Sequence, residues 1–212
     1  MSYGFKDNQL DLGQSFPLSD NIENVYLENA EYNLVKDEYE VIDLNWAKSD
    51  GARIRQRIFA VDESNVSAFN GMSLEDTIKQ KYNQINTALY RIAKAFGVTK
   101  AELQNAIAGG ANFKQYAQAF AKLINERSAG AEVRLKTILD KNGYVKVPQL
   151  GKFIQPMEGE QSEIAYTKWE RDNNAKNEGK RPKRKAQDVT SSDDANDANV
   201  EVEETEWYTE DL

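Results

Sequence analysis

The sequence predicts an α+β fold, in which hairpins build a small β-barrel that carries an inserted helical subdomain and is followed by an acidic tail. Three observations lead there. Residues 39–61, YEVIDLNWAKSDGARIRQRIFAV, alternate in polarity on both sides of a turn-forming KSDG. From Ser73 to Ile124 the apolar residues recur with the period of a helix. After Ser128 the alternation returns in VRLKTILD and YVKVPQL, joined across Asn142-Gly143, where Asn-Gly is among the strongest short hairpin signals.

Taken in order, NVYLENAEYNLV at 24–35 is the weaker strand candidate, because Asn29 and Asn33 interrupt it. The hairpin of residues 39–61 follows. Ile78, Tyr82, Ile85, Leu89, Ile92 and Phe96 then lay one apolar stripe along a long helix, which Ser73 with Asp76 opens as a capping box and Gly97 closes. A second box, Thr99 with Glu102, starts a short helix that ends at Gly109-Gly110. Asn112 caps a third helix, whose buried face is Phe113, Tyr116, Ala117, Phe120, Leu123 and Ile124. Two hairpins around a helical segment are compatible with an OB-fold-like barrel carrying a helical insertion at about 73–127; an open α+β sheet is the alternative. The expected domain spans residues 1–170, followed by a basic linker at 171–185 and an acidic tail at 186–212. The composition predicts disorder from near Asn173 onward.

Charge is distributed unevenly along the chain. All 27 Lys and Arg lie at or before Lys185 and ten of the 35 acids lie after it, so the net charge of −8 divides into +2 and −10. A slightly basic body tethered to a polyanion points to nucleic acid or to a partner with a basic pocket. With no Cys and no His, the chain has no disulfides, no thiolate or imidazole zinc ligands and no Cys- or His-based catalysis. Neither a secretory signal nor a membrane span is evident, so the expected location is the cytoplasm, that of the host cell if a phage encodes the chain.

Alternate residues of a strand face opposite ways, which puts Ile54 and Ile58 on one side and Arg53, Arg55, Arg57 and Phe59 on the other. Like charges two residues apart repel, and an anion lying across them explains the arrangement most simply. The partner strand turns Ile42, Leu44 and Trp46 inward, with Tyr39 and Asn45 outward. In the later hairpin Val133, Leu135, Leu139, Val145 and Val147 are expected inward, with Arg134, Lys136, Tyr144 and Lys146 outward. Cations that track phosphates, mixed with aromatics on which bases stack, suit a single strand of nucleic acid. The competing reading is a solvated face whose arginines are balanced by acids on neighbouring strands.

In the tail, Trp207, Tyr208 and Leu212 have no role in solubility and imply a docking partner. The polyanion could also fold back on the basic face and compete with DNA for it. With its two hairpins, the KRPKRK linker and the ending EVEETEWYTEDL, the chain resembles phage-type single-stranded DNA-binding proteins, OB-fold cores with acidic tails that recruit replication and recombination proteins. That resemblance places partner binding on Glu201, Glu203, Glu204, Glu206, Trp207, Tyr208, Glu210, Asp211 and Leu212. It implies a non-catalytic protein without cofactors that coats single-stranded DNA in replication, recombination or repair, its oligomeric state left open. Two other classes compete. One is a Mg²⁺-dependent nuclease using Asp37, Glu38, Glu40, Asp43, Asp62 or Glu63; the other is a phage scaffolding protein that assembles through its tail.

Overall fold

In the computed structural model, the residues described are 22–180, apart from 70 and 109–111. The chain runs β1 (Ile22–Val35), β2 (Tyr39–Ala47), β3 (Arg53–Phe59), α1 (Leu74–Ala95), α2 (Lys100–Ile107) and α3 (Phe113–Ser128). There follow β4 (Glu132–Lys136), β5 (Ile138–Leu139), β6 (Val145–Lys146), β7 (Ile154–Pro156) and α4 (Lys168–Glu178). Five strands form one antiparallel sheet in the order β3-β2-β1-β4-β7, and β5 pairs with β6 in a separate two-stranded ladder.

The hairpin expected at 39–61 is β2–β3, closed by Gly51 N–H donating to Lys48 C=O (3.0 Å), with Gly51 at φ 85°. The weak candidate at 24–35 is the longest strand and the centre of the sheet. The three-residue loop into β2 is closed by Glu38 N–H donating to Val35 C=O (3.2 Å), and it places the turn's two central residues, Lys36 and Asp37, both at φ 56°, the left-handed region that a type I′ turn requires. A bulge between Leu27 and Asn29 shifts the register of β1 against β2.

The helices are an integral layer rather than a separate inserted subdomain. Trp46, Leu44 and Ile42 of β2, Ile58 of β3 and Leu135 of β4 share one core with Leu89 and Ile92 of α1 and with Phe120 and Ile124 of α3. Trp46 stacks on Phe96 with ring centroids 6.2 Å apart, and its Nε1–H donates to Gln56 Oε1 (3.1 Å). The local caps form as their sequence dictates: Ser73 accepts from Asp76 N–H, Thr99 and Glu102 complete a capping box, and Asn112 accepts from Gln115 N–H. Gly97, at φ 74°, follows α1 in the left-handed conformation of a helix stop.

The sheet is open, not a closed barrel, for reasons visible at both edges. β7 is three residues long and ends in Pro156, which has no N–H to give a further strand. β6 lies against β3, but the β3 edge is met by a side chain, Gln149 Nε2 donating to Arg57 C=O (2.7 Å), and not by a ladder. Of β1, only Ile22–Tyr26 pairs with β4. Beyond it, Asn125 of α3 takes the strand edge, accepting from Ala30 N–H (2.7 Å) and donating to Ala30 C=O (2.9 Å).

Two further expectations give way. The long hairpin of 133–150 reduces to the two-residue β5–β6 ladder, because β4 is recruited by β1 and β7, although the Asn142-Gly143 turn forms with Gly143 at φ 82°. The polar stretch after Asn173, expected to be disordered, continues α4 as far as Glu178, so residues 171–178 of the expected linker are helical. A capping box of Thr167 and Glu170 starts this helix. Its buried residues are Glu170, Asn174 and Asn177, so polar pairing docks it where an apolar stripe would be expected. Asn174 Oδ1 accepts from Leu139 N–H (2.8 Å) and Asn173 Nδ2 donates to Leu139 C=O (2.7 Å), completing the backbone pairing of β5. Among the described residues no helix is long and apolar enough to cross a membrane.

Candidate nucleic-acid interface

The face of β2–β3 turned away from the helices carries the predicted arginines. The register pairs Ala47 with Arg53, Asn45 with Arg55, Asp43 with Arg57 and Val41 with Phe59, so one line of side chains from β3 lies over one line from β2. Ile42, Leu44, Trp46 and Ile58 take the opposite side and are buried, as the two-residue period requires.

The three cations differ in their partners. Arg53 forms a forked ion pair with Glu28, Nε at 2.9 and 2.8 Å from the two carboxylate oxygens and a terminal nitrogen at 2.7 Å. Glu28 stands at the β1 bulge and reaches past β2, where the intervening Ala47 is fully buried. The hydrogen bonds that Arg53 donates to Glu28, reinforced by the carboxylate's charge, raise the guanidinium pKa above its ordinary value. Arg57 Nε donates to Asp43 Oδ1 (3.0 Å), a carboxylate 1% exposed that also accepts from Asn33 Nδ2 (3.4 Å). Among the described residues, Arg55 Nε reaches only the neutral amide oxygen of Asn45 (3.3 Å). Two of the three arginines are therefore balanced by acids on neighbouring strands, as the solvated-face reading holds, and the middle one faces a neutral partner.

An open groove of about 530 Å³ runs along this row, lined by Glu28, Asn45, Arg53, Ile54, Arg55 and Arg57. Phe59, at the end of the row, is 41% exposed, and Tyr39 on β2 is half-buried. β6 lies beside β3 and carries Lys146, exposed; Tyr144, just before it, is 57% exposed.

Arg134 and Lys136 do not join this surface. Both point to the expected side of β4, but that part of the sheet is roofed. Arg134 donates to the Gly159 carbonyl, and the neighbouring Gln155 donates to that of Glu160, tying down the 157–160 loop. Lys136 is 2% exposed and gripped by both carboxylate oxygens of Glu170 on α4 (2.7 and 2.8 Å), with its ammonium 5.6 Å from the Tyr166 ring centre. It is a structural cation. The signal for this was the Thr167/Glu170 capping box, at the end of the expected domain where the sequence turns polar.

Four of the acids considered as metal ligands have other partners, Asp43 among them through Arg57. Glu40 accepts from the Tyr32 hydroxyl (3.0 Å), Asp62 caps a 3₁₀ turn at Ser64, and Glu63 accepts from the Tyr82 hydroxyl (2.9 Å). Among the described residues no group of three or more acids is gathered as a metal site would need. Glu206, Trp207, Tyr208, Glu210, Asp211 and Leu212, with the basic run after Lys180, lie outside the described residues. Comparison with protein-family models, curated proteins and solved structures finds no match to this chain.

Proposed function

We propose that the chain is a non-catalytic protein that binds and coats single-stranded DNA in phage replication, recombination or repair, with little sequence preference. The observation that carries this reading is the outer face of β2–β3. It sets a row of three guanidiniums along an open groove, the middle one without an acid partner among the described residues, with Phe59 exposed at the end of the row. Such a surface follows a phosphate backbone and offers a ring for stacking, and it asks for no groove-entering helix. We further read the sheet as an opened OB-type barrel. The helical segment between the third and fourth strands, the long first strand shared by β2 and β4, and the strand 2–3 face as ligand surface all suit that reading. The acidic tail competes with DNA for the arginine row and, once displaced, recruits replication or recombination proteins.

The test is fluorescence anisotropy of a labelled oligothymidylate with wild type and with Arg53→Ala/Arg55→Ala/Arg57→Ala, in a salt series and with duplex DNA as control. The core residues Ile54 and Ile58 stay in place, and a thermal melt checks that the mutant is folded. Loss of the arginines should weaken binding about tenfold or more and flatten the log–log salt slope by about 0.7 for each phosphate no longer neutralised. A folded triple mutant that binds like wild type removes the arginine row from the interface.

A further inference from the structure

The arginine row is held by two carboxylates of different character. Asp43 is buried within the row, directly across from Arg57, and is also held by Asn33. Such a group orients its arginine and cannot leave without exposing an unpaired buried charge. Glu28 is the opposite case. Its side chain is 28% exposed, it comes from β1 and not from the adjoining strand, and it is aimed by the bulge that breaks the β1–β2 register. Bulges re-aim a side chain where regular pairing would bury or misdirect it. Here the result is a carboxylate at the wall of the open groove, fork-bound to Arg53, whose side chain is still 53% exposed.

A carboxylate and a phosphodiester present the same pair of acceptor oxygens to a guanidinium fork. We infer that Glu28 is a built-in stand-in for phosphate: it occupies Arg53 in the free protein and is displaced when a DNA phosphate settles between Arg53 and Arg55. This rests on the single-strand-binding reading and adds a division of labour to it. Arg55 and Arg53 bind phosphate, Arg57 is held in place by Asp43, and Glu28 lowers affinity so that weakly placed anions do not occupy the groove. The exposed ion pair is easily exchanged, since such pairs are worth little in water, whereas the Asp43–Arg57 pair persists in the complex.

Three variants of the full chain separate this from bulk charge. Glu28→Gln removes the carboxylate, Glu28→Asp keeps the charge but shortens its reach, and Glu75→Gln removes an equally negative group from α1, where Glu75 pairs with Lys79 across an exposed helical turn. With a labelled oligothymidylate, Glu28→Gln should tighten binding about threefold to fivefold over wild type, the scale of one exposed ion pair no longer opposing the phosphate. Its salt slope should steepen by up to about 0.7, one further counterion released. Glu28→Asp should also tighten, by less, while Glu75→Gln stays at the wild-type value. If wild type binds and Glu28→Gln matches Glu75→Gln in affinity and slope, Glu28 is a brace and not a displaceable anion, and the inference falls while the binding function stands. If wild type does not bind the oligonucleotide at all, both fall together.

Discussion

Lys136 shows how far a cation's side of the strand differs from its availability. Strand parity places it correctly on the outer side of β4, yet Glu170 and Tyr166 from the α4 region close over it. Removing one member of a buried pair leaves the other charge without compensation, which typically costs about 3–5 kcal/mol. Lys136→Ala should therefore destabilise the fold by about that much in urea denaturation. DNA affinity measured on the folded fraction should be nearly unchanged; a large loss of affinity at wild-type stability would return Lys136 to the interface. The arginine row was legible because a two-residue period needs only local sequence. Its pairing was not legible, since Glu28 lies two strands from Arg53 and is aimed by a bulge that no composition rule announces.

Elements were legible where their signals are local. Ser73, Thr99 and Asn112 cap the first three helices because a cap needs only one side-chain oxygen and an N–H two or three residues on. The strand read as weak and the helix read as linker both have long-range causes. Asn29 and Asn33 weaken β1 as an isolated strand, but they sit on its outer face and pair across strands, Asn29 accepting from Asn45 and Asn33 donating to Asp43. α4 reads as linker because it presents asparagines, and those asparagines match the backbone of β5. The same device on α3 yields a prediction for the sheet edge. Asn125→Ala strips the partner from both Ala30 N–H and Ala30 C=O, and Ala30 is 3% exposed. Leaving buried backbone groups unpaired should cost about 1–3 kcal/mol, read as a lowered urea midpoint. Hydrogen exchange at Ala30 should accelerate more than exchange in α1; an unchanged midpoint would show that water replaces Asn125 without penalty.

For the whole molecule, the division between +2 and −10 along the chain is the feature that the fold by itself leaves without a use. Whether the sheet closes was not legible, because closure depends on which distant edges meet: a three-residue β7 ending in proline and a β3 edge satisfied by Gln149 keep them apart. An open β2–β3 face remains, and in the proposed function the acidic residues 186–212 are its intramolecular competitor. Tethering makes such competition effective even when each interaction is weak, and salt weakens it along with DNA binding. The most direct measurement is anisotropy of a labelled oligothymidylate with the full chain and with a truncation after Lys185, across a salt series, with duplex DNA as control. The account predicts binding that favours the single strand and weakens with salt, tighter for the truncated chain by a margin that shrinks as salt rises. Absence of binding by both forms would contradict it.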